Sequence, residues 1–391
     1  VLVADRAVPV VAGPEAFRLT PDLRRALETT FCPGENQTVA DKWADLCADL
    51  EANVHQIRQR SKLQIAFDLV AHAVSGFIRL RGAPPVRGWV QGLVVGDTGE
   101  GKTQLALALL RHYGLGHLGR YARAENCRAT GLLGTCERLG DNWRIRWGVY
   151  PQAHKGLLVL DEFSALDRGQ FGEMSAVRDS GVAEILKARG ATTPAQVRFL
   201  PMSNPKDPTN RHRRAMRDYD SGIEAIGSLI EDAADIRRFD LAVVAAANEV
   251  PAGVRFDPDW APVEATHTAP LCHALLMWAW SRTSDQIAWV DGSDLETLRL
   301  AGEMALTYAP GVPLVDPGDQ KHKLARLAIA CAARQFSTDS SGESIVVRPE
   351  HVRWVKQWLD SVYCDDAMGY HRYTAKQGSG MTQERAERIA V

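Results

Sequence analysis

The densest chemical signal in this chain is the run Gly96-Asp97-Thr98-Gly99-Glu100-Gly101-Lys102-Thr103, followed by Gln104. Its spacing is G-x-x-x-x-G-K-[ST], and the chemistry explains the pattern. Glycines let the backbone curl so that its N–H groups point at phosphate oxygens, and the helix that follows turns its positive end toward the same anion. The lysine ammonium reaches the β- and γ-oxygens, and the threonine hydroxyl can ligate Mg²⁺. Residues 96–104 are therefore expected to hold ATP, with Thr103 on the metal. A chance glycine-rich turn is the competing reading. Against it stand the apolar run Leu93-Val94-Val95 before the loop and the helical pattern Gln104–His112 after it.

Three further places supply the rest of a hydrolytic site. Leu157-Leu158-Val159-Leu160 runs into Asp161-Glu162-Phe163, a buried strand releasing two carboxylates at its C-terminal edge, where parallel sheets bind ligands. Asp161 is expected to hold Mg²⁺, and Glu162 to orient and deprotonate the attacking water. The run Val197–Met202 ends in Ser203-Asn204-Pro205, and Asn204 can hydrogen-bond a γ-phosphate or that water; an ordinary Asn-Pro turn is the plainer alternative. Arg238, in Arg237-Arg238-Phe239-Asp240-Leu241, is of a type that neutralises charge on a transferring phosphoryl group from a neighbouring subunit. From the residues alone, a surface arginine paired with an acid is the better explanation.

Positioning these groups requires strands that end at one edge and helices that cover them. From Val86–Val95 to about Ala246 the pattern alternates strand and helix, as in a parallel sheet flanked by helices. Before it, Val1 to about Val11 reads as a short β-like run and Pro21–Glu28 as a helix capped by Thr20. Thr38–Leu80 shows helical periodicity broken near Ser61, so two helices are expected there. After the proline-rich connector Pro251–Pro262 come amphipathic helices at Ala269–Ser281, Ser293–Tyr308, Gln320–Gln335 and Pro349–Tyr363. The expected division is 1–61 as N-terminal linker and helices, 62–250 as the ATPase core, 251–365 as an all-α lid, and 366–391 as a tail.

Composition bounds the rest. At 391 residues two or three domains are expected, and a formal net charge of −2 excludes a uniformly basic nucleic-acid coat without excluding a local basic channel. The seven cysteines form no C-x-x-C clamp, and their odd number speaks for reduced thiols in a cytoplasmic protein. No apolar run reaches 18 residues, so no membrane span is expected. The chain opens on Val1 and is expected to be part of a longer protein.

Taken together, the segments resemble the motor of the MCM-type replicative helicases, in the pre-sensor-1 hairpin branch of the AAA+ ATPases, over about residues 62–362. The quoted loop, Asp161-Glu162-Phe163, Asn204-Pro205 and Arg238-Phe239-Asp240-Leu241 are similar to that family's motifs. Ala129-Thr130-Gly131-Leu132 and Glu137–Val149 resemble its helix-2 insertion (about 120–152), in which Trp143-Arg144-Ile145-Arg146-Trp147 alternates as a hairpin strand. Glu184–Thr192 resembles its pore hairpin (about 183–196). The resemblance implies an AAA+ parallel sheet followed by a helical lid, and a ring, usually a hexamer, hydrolysing ATP with Mg²⁺ at subunit interfaces. It also implies an arginine in trans at Arg238 and single-stranded or forked DNA gripped by Lys187, with Arg144 and Arg146 as further DNA contacts. Two departures stand out. The family's second-sensor arginine falls where this chain reads Lys321-His322-Lys323-Leu324-Ala325-Arg326, leaving several candidates. Its zinc-bearing N-terminal collar has no counterpart, and residues 1–35 are expected to be an exit strand and linker. A protein-remodelling AAA+ machine, or a nucleotide-gated loader, is the alternative class, since a shared fold does not fix function.

Overall fold

The computed structural model describes residues 14–127, 129–139, 142–166, 168–186, 190–206, 215–247, 249–255, 257–308 and 311–377. The β-like run expected at Val1–Val11 and the pore-hairpin residue Lys187 lie outside them. At the centre is a five-stranded sheet of β1 (Gly92–Gly96), β2 (Gly119–Arg123), β3 (Leu157–Asp161), β4 (Arg198–Ser203) and β5 (Leu241–Ala245). Every neighbouring pair is parallel, and the spatial order is β5-β1-β4-β3-β2. The three inner strands and the edge strand β5 are buried along their whole length, which is why they read as near-continuous apolar runs. The edge strand β2, Gly-Arg-Tyr-Ala-Arg, is only half-buried and correspondingly polar.

The order has one consequence for chemistry: β4 is inserted between the strand that ends in the glycine-rich loop and the strand that ends in Asp161. Its tip, Asn204, must therefore stand between the two. Pro201 lies in this inner strand, where a missing N–H normally disqualifies a residue. The ladder to β3 runs unbroken from Arg198 to Pro201, whereas on the β1 side pairing resumes only at Met202↔Val94 after the bridge of Phe199 to Gln91. The lost donor falls on the side already interrupted.

Helix α1 (Pro21–Phe31) begins as its sequence directs: the Thr20 hydroxyl accepts the Leu23 N–H at 3.3 Å. Helices α2 (Val39–Asn53) and α3 (Ser61–Ala71) replace the long periodic stretch, with the break at the expected place. Helix α3 lies across β1, β4 and β5, and α4 (Lys102–His112) follows the loop. The C-terminal helices α5 (Ala269–Ser281), α6 (Ser293–Thr307), α7 (Gln320–Arg334) and α8 (Pro349–Tyr363) fall within one residue of the expected spans.

Helix α7 is buried from Lys323 to Arg334 because α3 covers one side of it and α6 and α8 the others. The N-terminal helices join this layer: Trp43 of α2 stacks on Trp354 of α8 at 4.5 Å and donates its indole N–H to Cys331 of α7. A buried ion pair, Arg334 to Asp68 at 3.1 Å, ties the helical layer to α3, and the Tyr113 hydroxyl at the end of α4 donates to the same carboxylate.

Candidate active site

At Gly96 the chain passes so close to β5 that a Cβ would stand 2.3 Å from the Ala245 carbonyl oxygen. Gly99 (φ 87°) and Gly101 (φ 77°) take left-handed conformations that side-chain-bearing residues avoid, and α4 begins immediately after. Lys102 is buried and folded back over the loop. Its Nζ donates to the carbonyls of Gly96 (2.8 Å) and Asp97 (2.7 Å) and to Asn204 Oδ1 (3.0 Å). Burial pushes the ammonium's pKa down, and Asp161 and Asp97 push it back up. Carbonyl and amide oxygens stand here where phosphate oxygens would sit.

On β3, Asp161 Oδ2 accepts hydrogen bonds from Thr103 Oγ1 (2.6 Å) and from the Tyr121 hydroxyl (2.7 Å), and Oδ1 accepts the Glu162 N–H (2.9 Å). Thr103 and Asp161 thus present hard oxygen ligands face to face, a donor set that suits Mg²⁺. Glu162 has φ 52° and ψ 41°, a left-handed backbone held by a non-glycine residue, and it ends the strand abruptly. Such conformations cost about 1–3 kcal/mol and gather at functional sites. The Ser203 hydroxyl accepts the Ser164 N–H at 3.1 Å and donates to the Asn204 carbonyl at 2.9 Å, fastening the tip of β4 to the loop after the acid pair. Lys102, Thr103, Asp161 and Asn204 are therefore brought together. Gln104, Thr98 and Gly99 are exposed at the rim, and Glu100 is buried.

Asp97 does something its place in the motif does not reveal. Its Oδ1 accepts the Met216 N–H (2.8 Å) and its Oδ2 the Ala247 N–H (2.9 Å), so the carboxylate pins two distant segments to the loop. Those segments, with Thr98, Tyr219, Asp220 and Asp366, line a cleft of about 710 Å³ beside the loop, room enough for a nucleoside. Tyr121 and Arg60 were also invisible as site residues. Tyr121 reaches Asp161 only because β2 and β3 are neighbours. Arg60 donates Nε to the Glu100 carbonyl at 3.1 Å, and its guanidinium lies 3.0 Å from where a Cβ on Gly101 would be. Neither residue belongs to a local motif that could have flagged it.

Arg238 lies elsewhere. It precedes β5, at the N-terminal edge of the sheet, whereas the loop and acids occupy the C-terminal edge. Five strand residues separate the two levels, roughly 16 Å at about 3.3 Å per residue. Arg238 Nε meets Asp179 Oδ2 at 2.7 Å, and its Nη1 donates to the Ala234 carbonyl at 2.8 Å. Arg326 is at the same edge. It is 2 % exposed and bonds Asp240 Oδ1 at 2.7 Å, while Arg87 grips the other oxygen of that carboxylate at 2.8 Å. Lys323 is buried and donates to the Leu314 carbonyl at 2.6 Å. Of the second-sensor candidates, Lys323 and Arg326 are thus engaged within the fold, and Lys321 and His322 are half-buried.

Two antiparallel hairpins complete the picture. The first joins Gly134–Leu139 to Asn142–Trp147 and carries exposed Arg144 and Arg146. The second joins Val182–Ile185 to Ala191–Pro194. The base of the first adjoins the outer rung of the second, where a Cβ on Gly134 would meet Ile185 at 3.0 Å.

The MCM P-loop domain family model matches residues 52–257, just over half of the chain. Over 120 residues the chain is 29 % identical to an uncharacterized MCM-type protein of Methanocaldococcus jannaschii. That stretch is 29 % of this chain and spans only 15 % of the relative's length. The glycine-rich loop, the acid strand, the β5-β1-β4-β3-β2 sheet and the family match agree, and the chain belongs to the MCM family as an AAA+ ATPase of the MCM type.

Proposed function

We propose that this ATPase is a DNA translocase or helicase that works in the cytoplasm as a hexameric ring and hydrolyses ATP at the joints between subunits. The observation that carries this reading is the separation of Arg238 from the phosphate loop of its own chain. A cation held at the opposite edge is out of reach of its own chain's phosphates, which supports service to a neighbour's nucleotide in a site shared by two subunits. Within one subunit Lys102 and the loop amides of residues 96–103 hold the phosphates. Thr103 and Asp161 would hold Mg²⁺, which would supply positive charge to the phosphates. Glu162 accepts a proton from the attacking water, Asn204 orients that water against the γ-phosphorus, and ADP leaves. Residues 62–250 form the motor and 251–365 the lid, preceded by a linker at 1–61 and followed by a tail at 366–391. Lys187 and the arginines Arg144 and Arg146 face DNA across the ring and contact its phosphates rather than its bases.

The test is ATP hydrolysis with and without single-stranded and forked DNA, on the full chain and on Lys187→Ala. Stimulation by DNA that disappears in Lys187→Ala, with basal hydrolysis kept, is the expected outcome. Hydrolysis indifferent to DNA in both proteins overturns the translocase reading and favours a protein-remodelling machine.

A further inference from the structure

The first hairpin carries a residue that phosphate contacts do not explain. All ten tryptophans lie among the described residues, and Trp143 alone is exposed, at 43 %. It occupies the outer end of the hairpin, one rung in from the last pair, Leu139↔Asn142. Pairing is Trp143↔Arg138, Ile145↔Cys136 and Trp147↔Gly134, so one face carries Trp143, Arg138, Ile145, Cys136 and Trp147 in succession. Along that face burial falls from base to tip. Trp147 is half-buried and packs against the core, Ile145 is half-buried, and Trp143 stands in solvent. The other face holds Arg144 opposite Glu137 and Arg146 opposite Thr135. A six-residue strand reaches roughly 20 Å, so the ring of Trp143 is carried well clear of the sheet. Residues 134–147 carry three arginines against two acids, Glu137 and Asp141, a small excess of positive charge that complements a polyanion.

We infer that Trp143 is a stacking platform for the bases of single-stranded DNA. This rests on the reading of the chain as a DNA translocase and adds to it a contact with the base rather than the phosphate. An indole face accepts any base, because every base has a π-face, so the contact adds affinity without sequence preference. The arginines of the same arm hold the phosphates and set the strand's path, and Arg138, opposite Trp143 on its own face, brings a cation beside the stacked base. An exposed tryptophan at the tip of a cationic arm is otherwise a cost to a soluble surface.

The experiment compares binding of the full chain to fluorescent oligothymidylate and to an abasic strand of equal length, alongside basal ATP hydrolysis. Wild type is expected to prefer the strand with bases by about tenfold, within the range a stacked base contributes. Trp143→Ala should remove that preference while leaving abasic-strand affinity and basal hydrolysis unchanged, and Trp143→Phe should retain most of it. Equal wild-type affinity for both strands overturns the stacking assignment and leaves the translocase reading standing. Equal loss on both strands in Trp143→Ala, or a fall in basal hydrolysis, overturns it in favour of a contact between subunits. Binding of neither strand by wild type removes the translocase reading and this inference together.

Discussion

At the scale of single residues, the site divides into groups whose role follows from the local chain and groups whose role follows from strand adjacency. Lys102, Thr103, Asp161 and Asn204 were legible, because each sits at a fixed offset from a glycine or from the end of an apolar run. Tyr121 was not. Its neighbours in the chain, Arg120 and Ala122, say nothing about Asp161, and only the β2–β3 register brings its hydroxyl to 2.7 Å from the carboxylate. Tyr121 meets the site only through this hydrogen bond to Asp161. A hydrogen bond to a charged group contributes about 1.5–3 kcal/mol. Tyr121→Phe should therefore raise the Mg²⁺ concentration for half-maximal hydrolysis by roughly tenfold or more, the lower end of that energy. A magnesium titration of hydrolysis checks it, and nucleotide binding measured in chelator should be unchanged. Gly101→Ala should be inactive for two reasons that add, the positive φ and the Arg60 guanidinium at 3.0 Å. Loss of nucleotide binding in a protein that keeps its circular dichroism would show it.

At the scale of elements, the C-terminal helices and the alternating strand Trp143–Trp147 were legible from periodicity, the second hairpin only from family resemblance, and the partners of these elements were not. The spans of α5 to α8 followed from the spacing of apolar residues. Nothing in that spacing said that α7 would be buried on every side, or that Trp43 of α2 would stack on α8. The same gap hid which arginine is available to a neighbour. Arg238 and Arg326 stand at one edge, and the energetics separate them. The Arg238 pair with Asp179 is open to solvent, with Asp179 49 % exposed, and pairs of that kind contribute about 1 kcal/mol at most. A phosphate can displace such a partner. Arg326 is buried on Asp240 beside Arg87, and removing one partner of a buried pair costs about 3–5 kcal/mol. Arg238→Ala should accordingly abolish hydrolysis with little change in unfolding midpoint, while Arg326→Ala should lower that midpoint strongly. Mixing Arg238→Ala with Lys102→Ala should restore hydrolysis that neither has alone, because a joint pairing the intact loop of one with the intact arginine of the other is complete. An inactive mixture whose subunits demonstrably co-assemble would count against the trans role.

At the scale of the whole molecule, several buried histidines tolerate only the neutral state. Burial lowers His351 to about 3, with Arg348 adding to it, and His112 to about 4, with Arg334 adding to it. His351 also accepts the Arg348 N–H on Nδ1 at 3.0 Å, a bond that requires the neutral ring and closes the start of α8. His72, buried at the end of α3, is likewise held well below its ordinary value by burial first and Arg334 second. Each of these rings stays neutral in the folded protein, whereas the unfolded chain takes up a proton below about pH 6.5. Unfolding then binds protons, so the stability these rings contribute is complete above that pH and is lost as the pH falls toward the folded values. For His351 and His112 together the loss is about 3 kcal/mol between neutrality and pH 5.5, at about 1.4 kcal/mol per histidine per pH unit. The denaturant midpoint should therefore drop over this window, well above the range in which carboxylates titrate. His351→Gln supplies an acceptor at the same helix position without a titrating ring. It should remove about 1.4 kcal/mol of the loss, read as a flatter dependence of the midpoint on pH. A midpoint that stays level from pH 7 to 5.5 in the parent protein would mean that these rings protonate inside the folded chain.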